Sequence, residues 1–560
     1  MAVRPTRSAP PNLTSYDSAR DEFQLSVPAR FNPVVDILER WAGEDPDALA
    51  LLSLDGSGRP VGSQTTSDLA RESRRAARAL LELGVAKGDR VFVMLPRVPA
   101  WYAVVLGAIR IGAVPMPGPN LLTSKDIRYR VGLAEAAVVV VDPAGAAKVD
   151  AVPGGLQSVR RRLCWDDGRG TPQGWLDLDT VLAAAGDGPT PVDPTAAEDP
   201  MFVYFTSGTV SAPKMVLHSQ ASYGLGHVTT ARFWQDLRAG DRHWTVSDTG
   251  WAKATWGGLF GQWHEKATVV QVALGRPDAD TILRLLAEHQ ITSFCAPPTL
   301  YRLLIQTDLT AYDLSALRHC TSAGEPLNPE VIRAWREGTG GLTVYDGYGQ
   351  TETTNVVANF RGMPVRPGSM GRPTPGYVVE VLDELGGRAP DGVVGSVAVQ
   401  ADPRPVGLFC SYYRDETATA AAFRNGWYYT GDKAARDSDG YFWFEGRSDD
   451  VITSSAYRIG PFEVESALVE HPAVAESAVV GRADADRTEI VCAFVILAEG
   501  VEGTAELAAE LQEHVKTSTA PYKYPREVHF VTELPKTVSG KIRRSELREM
   551  LAAGEFDSPS

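Results

Sequence analysis

The sequence predicts an α/β protein. It has a large N-terminal domain of layered α/β sheets with a β-rich subdomain, followed by a small, mobile C-terminal α+β domain. Three observations carry this. Short β-branched runs alternate with helical patterns through the first 300 residues, which implies largely parallel sheets covered by helices. An aromatic, turn-rich stretch, "GWYYTGDKAARDSDGYFWFEGR", reads as hairpin strands just before residue 447. Beyond it, "FEVESALVEHPAVAESAVVG", "EIVCAFVIL" and "AELAAELQEHVK" form a compact helix/strand set long enough for a small domain. The chain has 560 residues, more than one core accommodates. The expected organisation is a flexible tail over 1–30, a main domain over 31–447, a hinge at 448–450 and a lid domain over 451–560.

The individual elements follow from periodicity. "LARESRRAARALLELG" places Leu69, Ala76, Leu80 and Leu81 on one helical face, and "DRVFVML" (89–95) reads as the buried strand after it. "AAVVVVD" (136–142) is a second strand. "DTILRLLAEHQITSFCAPP" reads as helix, then strand, then a proline stop. The run "WYAVVLGAIRIGAVPMPG" carries Arg110 and ends in prolines, so it falls short of the roughly 18 uninterrupted apolar residues that a membrane span needs.

Composition narrows the function. The formal net charge is −15, with no long basic block, so general nucleic-acid binding is not expected. Five cysteines are scattered without a CxxC pair or a His/Cys cluster at zinc spacing, which argues for a reducing compartment and against a disulfide frame. The N-terminus has arginines but no apolar h-region. Together these lead us to expect a cytoplasmic protein without a membrane span.

One stretch suits phosphate. "YFTSGTVSAPKMV" (204–216) offers the hydroxyls of Thr206, Ser207 and Thr209, the close backbone approach allowed by Gly208, and the mobile charge of Lys214. It is not a Walker loop, because Pro213 precedes the lysine and Met215 follows it. On its own it also fits a solvated polar loop. Four further motifs follow in order: "TSAGEPL" (321–327), "YDGYGQTETT" (345–354), "YYTGDKAARDSDGYFWFEGRSDDVI" (428–452) and "PKTVSGKIRR" (535–544). From about residue 30 to 550 this series resembles the adenylate-forming superfamily of acyl- and aryl-CoA synthetases, peptide-synthetase adenylation domains and luciferases. "SDTGWAKATWGGLFGQW" and "HCTSAGEPL" are most similar to the medium-chain acyl-CoA synthetases.

The resemblance implies an ATP-dependent acid–thiol ligase working in two halves. A carboxylate attacks the α-phosphate of ATP to give acyl-AMP and pyrophosphate, and a thiol then displaces AMP. It implies that residues 206–214 cradle the β- and γ-phosphates. Thr351 would bond the α-phosphate and Glu352 would hold Mg²⁺, an ion that prefers oxygen ligands. Gly347, Gly349 and Gln350 would bind ATP or AMP as well, Tyr348 would stack on the adenine with Asp346 accepting from its amino group, and Gly324, Glu325 and Pro326 would line the other side of the base. Gly347 and Gly349 favour an exposed Tyr348 ring. Asp432 would accept the ribose hydroxyls and Arg447 would reach the ribose. Lys541 would bridge the carboxylate and the α-phosphate, where charge builds in the transition state. Asp449 matches the hinge about which the lid swivels between half-reactions.

The acid pocket is expected near "GWAKATW" and beside Gly349, where small-acid members carry a tryptophan; glycine there would open space for a larger acid. Trp251 and Trp256 offer aromatic surface. Lys253 has two readings: it selects a polar or anionic group on the acid, or its amine snorkels to solvent. Two departures touch the other substrates. Val210 and Ser211 stand where the family has Thr-Gly or Ser-Gly, and Ala456 in "SSAYRIG" stands where CoA-using members have glycine. Arg458, Lys523, Arg526, Arg543 and Arg544 suggest a phosphate-binding face for CoA. The acceptor therefore stays open between CoA, a carrier-protein thiol and an amine. A nucleotide-binding protein without catalysis is a third class.

Overall fold

The structure, a computed structural model, describes residues 6–186, 190, 194–206, 213–275, 278–454, 457–484, 487–537 and 541–556. Its largest sheet has nine strands. Leu49–Leu54, Thr268–Val272, Arg242–Thr245, Ser293–Ala296, His319–Ala323 and Val344–Gly349 run parallel as neighbours, and antiparallel strands close both edges. A second, parallel sheet is built around Arg90–Met94 and Val138–Val141. All four valines of the latter are buried, as expected for a strand covered on both faces.

Local sequence explains the helices. Thr65 and Asp68 form a capping box that starts the helix Thr66–Glu82, and Leu69, Ala76, Ala77 and Leu80 face inward. The helix Pro99–Arg110 begins with proline at its first turn and is buried on nearly every side. That explains its uniform apolarity. Its Gly107 lies so close to the first helix that a Cβ would come 2.6 Å from the Ala76 Cβ. Arg110, enclosed with it, pairs with Glu39 at 2.9 Å. Among the described residues no helix is long and apolar enough to cross a membrane.

Two antiparallel systems complete the main body. The strands Pro200–Phe205 and Met215–Ser219 pair around the 206–214 stretch. The hairpin Trp427–Arg436 and Phe442–Arg447 sets Asp432 directly opposite Arg447. The last sheet is formed entirely from residues 452–530, with Val474–Asp484 and Thr488–Leu497 as its long central pair. Helices Pro461–Val469, Ala505–Ser518 and Arg544–Ala552 belong with it.

The N-terminal segment differs from the expected flexible tail. Residues 6–30 are docked, with Leu13 and Tyr16 buried and a helix at Tyr16–Glu22. Arg7 donates to the carbonyls of Leu314, Leu317 and Thr339 at 2.7, 2.9 and 3.2 Å. The Asn12 amide reaches the carbonyls of Arg232 and Leu237. Polar side chains of the expected tail are partners for distant backbone here.

Candidate active site

The predicted nucleotide residues converge at the carboxyl ends of the parallel strands His319–Ala323 and Val344–Gly349, where open α/β sheets bind ligands. The turn after the first strand holds Gly324, whose φ of +113° favours glycine and whose missing side chain faces open space. Glu325 and Pro326 beside it are half-buried.

Three carboxylates form the floor. Asp346 accepts from the backbone N–H groups of Gly347 (3.0 Å) and Leu327 (3.2 Å), and burial lifts its pKa to about 7. Asp432 accepts the Tyr348 hydroxyl at 2.5 Å and the Gln350 amide at 2.7 Å on one oxygen, while Arg447 stands 3.8 Å from the other. Burial raises it as well. Glu352 accepts the Tyr412 hydroxyl at 2.9 Å, is raised by burial, and has no ion-pair partner among the described residues. A buried carboxylate in that state fits a hard cation such as Mg²⁺, which would supply the missing charge.

Several supports of this floor carry no motif. Buried His218, its pKa lowered to about 4 by burial, donates from Nε2 to the Thr351 carbonyl at 2.7 Å and so holds that turn. Tyr428 donates to Gln350 Oε1 at 2.8 Å. Tyr412 serves twice, because the Lys214 ammonium lies 4.7 Å from its ring centroid while its hydroxyl engages Glu352. Thr206 N–H donates to the Lys214 carbonyl at 3.0 Å and closes the neck of the phosphate-type loop. Ser207, Gly208, Thr209, Val210 and Ser211 lie outside the described residues, as does Ala456.

The structure gives two glycines other reasons than those expected. At Gly349 a Cβ would come 2.1 Å from the Thr354 carbonyl oxygen, so this glycine permits a close backbone approach at an irregular strand pairing. At Gly347 a Cβ would come 2.5 Å from the Trp234 ring. Tyr348 itself is half-buried, its hydroxyl tied to Asp432.

Near the expected acid pocket, Trp251 caps the short helix Ala252–Trp256. Lys253 Nζ donates to the Ala323 carbonyl at 2.9 Å and burial lowers its pKa. The amine therefore turns inward, and the snorkelling reading fails. Trp256 lies between His227 and Trp234, with ring centroids 6.2 and 5.7 Å away.

Lys541 arrives from the C-terminal unit. Its side chain is exposed, yet its positive charge acts on both Asp432 and Lys253. Asp449 is exposed and pairs with Arg447 at 3.2 Å. The expected CoA face is largely engaged internally. Arg458 pairs with Glu384 at 2.9 Å, Arg543 with Glu546 at 3.3 Å, Arg544 with Glu465 at 2.7 Å, and Lys523 with Glu463. Arg526 stacks on Tyr524 at 4.6 Å and has no ion pair among the described residues.

Comparison with known proteins identifies the family. The AMP-binding enzyme family matches residues 38–413, and the AMP-binding enzyme C-terminal domain matches residues 463–541. Acyl-coenzyme A synthetase ACSM3, mitochondrial, of Mus musculus is 44% identical over 551 residues, covering 97% of this chain and 94% of that protein. An acyl-CoA synthetase from Brucella canis is 37% identical with a TM-score of 0.75, over 97% of this chain and all of that one. The anthranilate CoA ligase AuaEII, solved with anthranoyl-AMP, is 30% identical with a TM-score of 0.87, over 94% of this chain and 99% of that one.

Proposed function

The chain belongs to the AMP-binding enzyme family, and from that premise we propose that it joins a carboxylic acid to CoA through an acyl-AMP intermediate. The observation that carries this is a floor of three buried carboxylates with the charge of Lys541, from the C-terminal unit, acting on one of them, Asp432.

In this reading ATP lies across the floor. Asp432 accepts from the ribose hydroxyls, with its second oxygen steered by Arg447. Asp346 accepts from the adenine amino group, beside Gly324, Glu325 and Pro326, and Tyr348 supplies an aromatic face. Thr351 and the 206–214 stretch with Lys214 bind the phosphate chain. Glu352 would hold Mg²⁺, which offsets phosphate charge when bound. The acid carboxylate attacks the α-phosphorus, the bond to the bridging oxygen breaks and pyrophosphate leaves. Lys541 stabilises the negative charge that gathers around the α-phosphorus. In the second half a thiolate attacks the acyl carbon and AMP leaves. Rotation of residues 451–560 about Asp449 withdraws Lys541 between the halves, and Arg458 and Arg526 then receive the CoA phosphates.

The acid is of medium-chain or aromatic, functionalised type. Lys253, turned into the pocket region beside Trp251 and Trp256, selects among these by pairing with a polar group. The five free cysteines fit the reducing cytosol as the compartment.

Incubation with ATP, Mg²⁺ and a panel of acids tests the proposal. Acid-dependent pyrophosphate release, with thioester forming only when CoA is added, is the expected result. Release that ignores CoA and gives no thioester points to a carrier protein or amine as acceptor. Silence with every acid returns the chain to the non-catalytic class.

A further inference from the structure

Lys541 must hold its charge at one place while standing on an exposed stretch. Local bonds close that stretch on itself: Thr537 N–H donates to the Lys541 carbonyl at 2.7 Å, Lys541 N–H to Thr537 Oγ1 at 3.1 Å, and Arg543 N–H to the Pro535 carbonyl at 2.8 Å. The flanks of this stretch are anchored as well, by Lys536 on Glu476 at 2.8 Å and by Leu534 and Ile542 in an apolar cluster of the C-terminal unit.

A second attachment, to the domain junction, comes three residues after Lys541. Arg544 opens the last helix, and its Nη2 donates to both oxygens of buried Glu465 at 2.7 Å. Glu465 is fixed in turn by the Val479 N–H at 2.8 Å. On the next helical turn, Arg548 donates to Asp450 Oδ1 at 2.9 Å, and the other Asp450 oxygen faces Arg544 at 4.0 Å. Asp450 is 7% exposed and sits immediately after Asp449 at the junction of the two units. Neighbouring acids thus have opposite allegiances. Asp449 is exposed and bound to Arg447 of the main body, whereas Asp450 is buried and bound to the final helix.

We propose that Asp450 is a positioning residue for Lys541: its buried carboxylate clamps Arg544 and Arg548, registers the final helix against the junction, and so sets where the lysine ammonium arrives. The peptide between Asp449 and Asp450 is then the boundary across which the lid turns, and Asp450 travels with the lid. This rests on reading Lys541 as the adenylating cation. A clamp confined to the lid matters in the half-reaction that uses Lys541 and is silent in the other. Removing it strips Arg548 of its carboxylate, leaves Arg544 on Glu465 alone and frees the helix to shift; misplacement of a reacting group by about 1 Å costs up to about 100-fold in rate.

The test uses the full chain, with octanoate and benzoate as probe acids. One assay follows pyrophosphate release from ATP, and the other follows thioester formation from synthetic octanoyl-AMP and CoA. Asp450→Asn and Arg548→Ala are each expected to lower kcat for pyrophosphate release by about 10- to 100-fold. The KM for ATP and the thioester-forming rate should each stay within about threefold, and Asp450→Glu should restore part of the loss. Unchanged pyrophosphate release in both variants, or a parallel fall of both half-reactions, overturns the proposal. Lys541→Ala runs alongside: full release in that variant defeats the reading of the site itself, whereas its loss with intact Asp450→Asn defeats only the clamp.

Discussion

The two sides of the site are built in opposite ways. The floor is set before any ligand arrives. Asp346, Asp432 and Glu352 are buried, hydrogen-bonded and held high in pKa by desolvation, with His218, Tyr412 and Tyr428 fixing the turns around them. The opposite side is one exposed lysine on a loop closed by a few backbone bonds. Burying acceptors costs stability, and that cost is recovered when donors and cations bind. A cation that must leave between half-reactions cannot be buried in the same way. On the proposed reading, the difference puts selectivity for the nucleotide in the floor and timing in the lid.

The sharpest way to break this contrast is to remove the mobile charge. Lys541→Ala should lower acyl-AMP formation by about 100- to 1000-fold while sparing thioester formation from preformed acyl-AMP, read as pyrophosphate release against thioester yield. A uniform fall in both would place the lysine in the folding of the lid. Next in size, Asp432→Ala should weaken ATP binding by about 1–3 kcal/mol, seen by calorimetric titration, because Tyr348 and Gln350 lose their acceptor together with the nucleotide. An unchanged affinity would move the ribose elsewhere.

Lys253→Leu should change the ratio of kcat/KM between a functionalised aromatic acid and a plain fatty acid by about tenfold, toward the fatty acid. If the preference stays put, the lysine serves the Ala323 carbonyl alone. A further effect falls on stability rather than on activity. Burial lifts Asp346 from 3.8 to about 7, so folding favours its protonated form. Its contribution is complete below the unfolded value and is lost as pH rises through about 7. Asp346→Asn should therefore stabilise the ligand-free protein at pH 8 by roughly 1–3 kcal/mol and flatten this part of the pH dependence, measured by denaturant unfolding.

Much of this was legible in the sequence because the pieces are local. The strand at Val138–Val141, the helix at Thr66–Glu82 and the hairpin opposing Asp432 and Arg447 each follow from a short run of residues. The motifs name residues that lie together in the structure, Tyr348 and Gln350 both bonding Asp432. What escaped depends on partners far along the chain. His218 reaches Thr351, Tyr412 reaches Glu352, and Arg544 reaches Glu465, and none of these pairs leaves a pattern of spacing. Gly349 shows the limit for single residues: the obstacle to its Cβ is a backbone oxygen supplied by a strand irregularity. For a related reason composition counts the basic residues of the lid but not the carboxylates that several of them face, as Arg544 faces Glu465 and Arg458 faces Glu384.

The docked leading segment sets a practical limit on where this polypeptide can be cut or fused. Leu13 and Tyr16 cover Phe233, Trp234 and Phe360, and the Phe23 ring meets Phe233 edge-on at 4.9 Å. Trp234 in turn touches Trp256 beside the expected acid pocket. A version begun at residue 31 would present that aromatic patch to water, inviting self-association and loosening the wall against which the acid is sorted.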